Sequence, residues 1–335
     1  MSVQTAGLTW DRVRSYRPPQ RYIPVLATLA LLVVMYSIGV SNYRAFSNVQ
    51  VILNVFIDNG FLVVVGVGMT FVILTGGIDL SVGSVVAMTT MIVSSMLQNG
   101  AWPAPVVLVV ALLAGPALGF VMGCIIHYFN IQPFIVTLAG MFFARGMCTW
   151  ISTSAIPIAD PTWETLAQSR IRFGSSNFVS PSVVIAFAVV LIAVYVLGYT
   201  RIGRNTYAVG GNQQSALLMG LPVGRTKIAV YTISGLCSAI GGILFSFYTL
   251  SGYPLGAIGM ELDAIAAVVI GGTLLTGGSG YVLGTVLGVL TLGLIQTLIT
   301  FDGTLSSWWT KIVIGALLFA FILLQRLIGL ARKIR

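Results

Sequence analysis

The chain has 335 residues, of which 57% are hydrophobic and only 7% carry a charged side chain. Soluble domains carry about 25% charged residues, so this composition excludes a conventional hydrated surface and predicts one integral membrane domain. The net charge of +9 does not indicate a nucleic-acid partner, because most basic residues fall in three short segments rather than over a polar face.

The chain begins with a polar stretch, residues 1–22, that carries four arginines. No small-residue cleavage site follows the first apolar run, so we expect a cytoplasmic tail before a spanning helix rather than a signal peptide. Residues 23–330 form the predicted transmembrane domain, and residues 331–335 form a cytoplasmic end.

Ten apolar stretches approach the length of about 20 residues that a helix needs to cross a bilayer. They run over 24–41, 60–76, 81–98, 104–126, 133–152, 182–199, 226–248, 262–276, 279–300 and 308–330. The third and the eighth are short, which leaves the alternative of eight full crossings plus broken or re-entrant pieces. Either count predicts an all-α, polytopic membrane helix bundle.

An internal repeat relates residues 68–86, GMTFVILTGGIDLSVGSVV, to residues 269–287, VIGGTLLTGGSGYVLGTVL. A Gly-broken apolar segment in each half of a hydrophobic chain indicates the substrate pathway of a transporter. The predicted substrate-pathway residues are Thr75, Gly76, Gly77, Asp79, Ser81, Thr276, Gly277 and Gly278.

Asp79 is the one acid inside a predicted span, where a charged side chain costs about 2.5–3.5 kcal/mol on insertion scales. It either contacts the permeant at a bent junction or caps the helix that starts near Leu80. We favour the capping role for Asp79 and the pathway role for the surrounding loop. Gly280 replaces the acid in the second copy. For Arg145, we expect a side chain that snorkels to the interface rather than one that contacts Asp79.

Basic residues concentrate in the N-terminal tail, in residues 200–227 and at the C-terminal end. All three places lie on one side of the membrane under the ten-span count, and the two termini share a side under either count, because eight and ten have the same parity. The positive-inside rule predicts that this side, with both termini, is cytoplasmic. The longest cytoplasmic loop is 200–226. Its polar stretch 211–215, followed by apolar residues and Gly220, predicts a short capped helix whose exposed apolar side needs a partner.

The sequence lacks a GxxxxGK[ST] motif, so we expect no nucleotide hydrolysis, no catalytic residues and no cofactor. His127 and the three cysteines have no ligand spacing, so no metal site is predicted. Buried acids and histidines of a proton-coupled carrier are also missing, although sodium coupling through carbonyls stays open. Two alternatives remain: a stand-alone secondary carrier for a sugar or polar metabolite, and a membrane scaffold.

Four long motifs resemble the sugar-transporting permease family of ATP-driven importers, the ribose, arabinose and galactofuranose group. They are GMTFVILTGGIDLSVGSVVA (68–87), IQPFIVTLAGMFFARG (131–146), YAVGGNQQSALLMG (207–220) and ELDAIAAVVIGGTLLTGG (261–278). The shorter segments IPI (156–158), FDGTLSSWWTKI (301–312) and LLQRL (323–327) are most similar to galactofuranose permeases.

This resemblance implies a subunit of the bacterial inner membrane that translocates a monosaccharide, with galactofuranose as the expected sugar. It implies three partners: a second permease (a related chain or a second copy), a cytoplasmic ATPase with two nucleotide-binding halves, and a periplasmic sugar-binding protein. The binding protein is expected to dock on outer loops such as 153–181 and 249–261. By position, the ATPase-coupling residues are Gly211, Asn212, Ala216 and Gly220, and we add Arg225 to this surface.

Aromatic residues near the predicted outer ends of the spans have two interpretations. They could stack on a sugar in the pathway, or they could belong to an interfacial aromatic belt, which is the commoner role of Trp at helix ends. The residues concerned are Tyr253, Phe301, Trp308 and Trp309.

Overall fold

The computed structural model describes residues 23–98, 100–173, 177–304, 306 and 308–333. The predicted cytoplasmic tail, 1–22, and the end of the predicted C-terminal segment, 334–335, lie outside the described residues. The helices, numbered in chain order, are α1 Ile23–Asn42, α2 Val49–Leu74, α3 Val82–Gln98, α4 Ala104–Tyr128, α5 Pro133–Ile151, α6 Pro161–Gln168, α7 Pro181–Tyr199, α8 Arg201–Gly211, α9 Gln213–Leu218, α10 Val223–Thr249, α11 Met260–Ile270, α12 Val282–Asp302 and α13 Trp308–Lys333.

Four short strands lie in the connections of this helical bundle. β1 (Ile156–Pro157) pairs antiparallel with β4 (Ser251–Gly252), and β2 (Ile171–Phe173) pairs antiparallel with β3 (Asn177–Val179). The long loop expected at 153–181 is therefore partly ordered by α6 and by a small hairpin.

Eight helices in the described part of the chain are long and apolar enough to cross a membrane: α1, α2, α4, α5, α7, α10, α12 and α13. α3 has 17 residues and α11 has 11, so the two stretches expected to be short are short. The prediction of an all-α membrane bundle is confirmed, whereas the choice between ten crossings and eight crossings plus shorter pieces stays a prediction, because length and composition alone single out the eight helices.

The centre of the bundle is formed by α2 and α10, which are the most buried of the eight long helices. α10 packs against α4, α2 and α3. At its crossing with α4, Gly115 and Gly235 face each other so closely that a Cβ on either would overlap the carbonyl oxygen of the other. Small residues are what permit such backbone contact between membrane helices.

The predicted start of the second span at residue 60 is wrong, because α2 begins at Val49. The side chain of Asn48 caps it by accepting a hydrogen bond from Gln50 N at 2.9 Å. Asp58, which falls outside the predicted stretch 60–76, is therefore part of a helix long enough to span, so the expectation that Asp79 is the one acid of the spans is wrong. The polar residues Asn54 and Asp58 interrupt the apolar run, but they are four residues apart and occupy one helical face.

The Arg145 side chain contacts protein, and the expectation that it snorkels to the membrane interface stays a prediction. Its Nη1 donates hydrogen bonds to the carbonyl oxygens of Pro254 (3.0 Å) and Gly256 (2.6 Å). The side chain is half-buried. Arg145 thus ties α5 to the segment between β4 and α11 and does not contact Asp79.

Candidate functional site

The first break of the repeat begins where α2 ends. Gly76 adopts a left-handed backbone with φ +78, so its N–H bonds to Ile73 O at 2.9 Å while Gly77 N bonds to Val72 O at 3.2 Å. This pair of bonds is a Schellman turn, which requires the left-handed residue that glycine provides most easily. The sequence correctly predicted that the glycines stop the helix here.

Asp79 connects this break by hydrogen bonds to α10 at the centre of the bundle. Its Oδ1 accepts bonds from Ser81 N (2.9 Å) and Ser81 Oγ (2.6 Å), and its Oδ2 accepts from Ser234 Oγ of α10 at 2.7 Å. Only 1% of Asp79 is exposed. The side chain organises the turn just before α3, much as the capping interpretation expected, with the helix starting at Val82 rather than near Leu80. A contact of the permeant with Asp79 stays a prediction.

The second break differs from the predicted one, because α11 ends at Ile270 and not at 276. Gly272, with φ +93, forms the same Schellman turn: its N–H bonds to Val269 O at 2.9 Å, and Thr273 N bonds to Val268 O at 3.1 Å. Gly271, next to this turn, packs directly on the backbone of Gly284 in α12. Thr276, Gly277 and Gly278 consequently lie in the loop beyond the helix.

The two breaks meet in space although 201 residues separate their sequences. Gly278 N donates a hydrogen bond to Leu74 O at 2.9 Å, so the second break satisfies a carbonyl at the free end of α2. Gly277 has φ +86, and a Cβ there would lie 2.8 Å from Gly76 N. This close contact of backbones explains why both breaks are built from glycine.

Helix α8 packs onto the junction of the two breaks. A Cβ at Gly210 would overlap Leu74 O and would lie 2.6 Å from Gly278 N. Tyr207 Oη donates a hydrogen bond to Gly280 O at 2.8 Å, and burial, with a smaller contribution from Tyr281, raises the pKa of the Tyr207 phenol. The phenol therefore stays protonated and able to donate at physiological pH. Neither residue was singled out by the sequence interpretation, although both lie in the motif at 207–220.

The predicted short helix of the 200–226 loop is present as α9. Asn212 caps it by accepting a bond from Ser215 N at 2.8 Å, Ala216 is fully buried, and Gly220 follows the helix with φ +74. Gly211, the last residue of α8, lies against the second break, since its backbone is 2.9 Å from a Cβ built on Gly278. The preceding helix α8 was not predicted, because its three glycines and its polar residues give a weak helical pattern.

An exposed surface surrounds α9, here called the α9 surface. Its apolar side chains, Leu217, Leu218 and Met219, are 57%, 80% and 68% exposed. Three arginines, Arg201, Arg204 and Arg225, are also exposed nearby in sequence. The predicted ATPase-coupling residues thus lie on or beside a surface that is apolar and basic.

Two buried hydroxyls next to the breaks have no hydrogen-bond partner among the described residues: Tyr231 Oη and Thr273 Oγ1. A Cβ at Gly77 would overlap Tyr231 Oη, and one at Gly280 would overlap Thr273 Oγ1. Both hydroxyls therefore adjoin break backbone. Within the same described ranges, no group of three or more His, Cys, Asp or Glu side chains is arranged to hold a metal ion.

Comparison with known proteins gives a consistent result. Residues 51–322 match the family model described as "Branched-chain amino acid transport system / permease component". The inner membrane ABC transporter permease protein YjfF of Escherichia coli is 46% identical over 92% of this chain and 93% of its own. The fructose import permease protein FruG of Bifidobacterium longum is 38% identical over 97% of both chains, and the ribose import permease protein RbsC of Haemophilus influenzae is 36% identical over 90% of this chain and 92% of its own. No solved structure matches the chain.

Proposed function

The chain belongs to the branched-chain amino acid transport system permease family, within its sugar ABC transporter permeases, and we propose that it imports a monosaccharide, galactofuranose, across the bacterial inner membrane. In this proposal the chain forms part of the wall of the pathway and does no chemistry itself. A separate ATPase supplies the energy.

The contact of α8 with both breaks is the observation that carries this proposal. Tyr207 bonds to Gly280 at 2.8 Å, and Gly210 packs against Leu74 and Gly278. α8 is joined to α9 through Asn212, which ends one helix and caps the next. A force applied to the α9 surface therefore has a short, rigid route to the two glycine junctions.

A mechanism follows from this route. The ATPase binds the α9 surface through Leu217, Leu218 and Met219 and through the exposed arginines. Closure of the ATPase on nucleotide displaces α9 and α8 together, and the displacement shifts the breaks relative to each other. Packed interfaces of this kind switch between discrete arrangements rather than deform gradually, so the pathway alternates between outward and inward access.

Three partners complete the proposed importer. A second permease, either a related chain or a second copy, encloses the pathway with this one, and a cytoplasmic ATPase with two nucleotide-binding halves binds both. A periplasmic sugar-binding protein delivers the sugar to the outer connections, which include α6 and the β2–β3 hairpin. Both termini are cytoplasmic in this proposal, as the distribution of basic residues indicates.

The choice of galactofuranose depends on short segments at 156–158, 301–312 and 323–327. The names of the curated relatives state fructose, ribose or D-allose, so the sugar of this chain requires its own experiment. The test is uptake of labelled galactofuranose and labelled ribose into proteoliposomes that contain this chain, its ATPase and its second permease, with binding protein outside and ATP inside. We expect galactofuranose to accumulate and ribose not to. Accumulation of ribose alone would reject the proposed substrate.

A further inference from the structure

A groove lined by polar side chains opens between α2, α11, α12 and α13. It consists of two adjoining cavities of about 480 and about 490 Å³, a size typical of small-molecule sites. The residues that give this groove, here called the polar groove, its character are Asn54, Asp58, Asn59, Asp263, Gln296 and Thr300.

The polar residues of the groove follow helical periodicity on two helices. Asn54 and Asp58 are four residues apart on α2, and Gln296 and Thr300 are four residues apart on α12. Residues with this spacing share one face of a helix. Each of these four side chains is exposed. Two spanning helices therefore turn polar faces toward the same space.

Lipid cannot be the neighbour of this space. Asp58 lies nine residues into α2, about 14 Å along the helix from its start at 1.5 Å per residue, so it is well inside the span. Charged side chains at such depth face a bundle interior or a water-filled cavity. The other side of α2 is different: Ile52 and Phe56 line a groove against α1 that exposes no polar surface. α2 thus separates a lipid-compatible face from a water-compatible one.

The chemistry of the groove suits a neutral ligand that is rich in hydroxyl groups. Amides both donate and accept hydrogen bonds, and the Asp58 carboxylate accepts them. Tyr248 and Phe301 add aromatic rings to the same cavity. Lys311 is the cation that lines the groove, and its Nζ forms a salt bridge with Asp263 at 2.7 Å. Because Lys311 is already paired, the groove is less suited to an anionic ligand such as an amino acid or a phosphorylated sugar.

We infer that the polar groove is the stretch of the permeation path in which this subunit binds the sugar's hydroxyl groups, with Asp58 and Gln296 as the principal contacts. This inference rests on the proposed function as a sugar permease. It adds the location of the sugar and four residues that lie outside the internal repeat, namely Asn54, Asp58, Gln296 and Thr300. The competing occupant of the groove is a helix of the second permease, which would close it to water.

Accessibility to a charged thiol reagent tests the inference first. In a C124S background, chosen because Cys148 and Cys237 are buried, D58C and Q296C are compared with I52C on the apolar face of α2. The assembled importer in proteoliposomes is treated from outside with a membrane-impermeant anionic methanethiosulfonate. We expect modification of D58C and Q296C and none of I52C. Protection of both groove cysteines in a complex that transports would show a protein-filled groove and overturn the inference.

Transport by matched variants tests it second. Thr300 and Thr149 are both exposed, and each hydroxyl donates to the carbonyl four residues earlier, at 2.9 and 3.2 Å. We expect T300V and Q296L each to lower ATP-driven uptake about five- to tenfold, the loss expected for one hydrogen bond, whereas T149V leaves it unchanged. ATPase stimulation by the loaded binding protein should persist in all three.

The two proposals fail in different ways. Full uptake by T300V and Q296L, or by D58C after complete modification, would overturn the polar groove as the sugar's path while leaving the importer intact. Absence of ATP-driven uptake of any sugar by the unsubstituted complex would instead reject the proposed function.

Discussion

Gly278 N donates a hydrogen bond to Leu74 O at 2.9 Å, and this bond joins the two halves of the internal repeat. The donor belongs to the loop after α11 and the acceptor to the last residue of α2. Helix α8 covers the bond, because Gly210 packs against both residues. The junction is therefore the place where a movement of the 200–226 loop would reach both halves of the bundle.

The absence of a side chain at Gly210 is required for this junction. We predict that Gly210→Ala abolishes uptake and lowers the free energy of unfolding by about 1–3 kcal/mol, because its Cβ would overlap Leu74 O in a packed interface. Uptake and thermal unfolding in detergent measure the two effects. Gly198→Ala is the matched control, since nothing lies within 4 Å of a Cβ there. Equal behaviour of the two variants would contradict the packing described for α8.

In the proposed mechanism, the Tyr207 hydroxyl transmits movement to the second break. We predict that Tyr207→Phe retains the fold but lowers uptake per ATP hydrolysed about fivefold, since it removes the 2.8 Å bond to Gly280 O, worth about 1 kcal/mol. The ratio of uptake to hydrolysis in proteoliposomes measures this effect. Tyr199→Phe, on a side chain that is 74% exposed, should leave the ratio unchanged. An unaltered ratio in Tyr207→Phe would remove this hydroxyl from the coupling route.

The α9 surface binds the ATPase in the proposed importer. Gly220 has φ +74, which proline cannot adopt, so Gly220→Pro should displace the end of α9 and weaken co-purification of the ATPase in detergent. Arg225→Glu leaves the backbone intact and should weaken binding through charge alone. Gly315→Ala, in open space on α13, is the control. If the ATPase is retained by both surface variants, its docking site lies elsewhere.

Asp79 acts through hydrogen bonds in this structure, because it accepts from two hydroxyls and one backbone amide. We predict that Asp79→Asn, which keeps the size and an accepting oxygen, retains most uptake. Asp79→Ala should lose about 1–3 kcal/mol of stability, since buried donors on Ser81 and Ser234 lose their acceptor. Uptake normalised to the amount of inserted protein separates the two variants. Complete loss of uptake in a stable Asp79→Asn protein would indicate an ionic role instead.

Two helix ends were predicted correctly from the sequence because a glycine lies in the turn that ends each helix. The stop after α2 at Gly76 and the capped helix α9 before Gly220 were both predicted correctly. The end of α11 was not, although Gly272, which ends it through a Schellman turn, belongs to an equally local Gly-Gly pair. The repeat suggested Thr276 to Gly278 as the equivalent stop, six residues too late.

Polar residues within membrane helices were the main source of error. The first eleven residues of α2 were assigned outside the span because Asn54, Asp58 and Asn59 interrupt the apolar run. Their spacing identifies a face, but only the fold shows that α12 brings Gln296 opposite them. In the same way, Tyr207 and Gly210 are important because they contact residues about 70 to 140 positions away in sequence. Chain order alone does not specify such contacts.

The central claim is that this chain is moved by energy supplied from another subunit. The most direct measurement compares sugar uptake into two preparations of vesicles. The first holds the purified chain alone, under a sodium or a proton gradient. The second holds the chain, the second permease and the ATPase, and is supplied with ATP and external binding protein. The account predicts uphill uptake only in the second preparation. Accumulation of sugar by the chain alone, driven by either ion gradient, would contradict it.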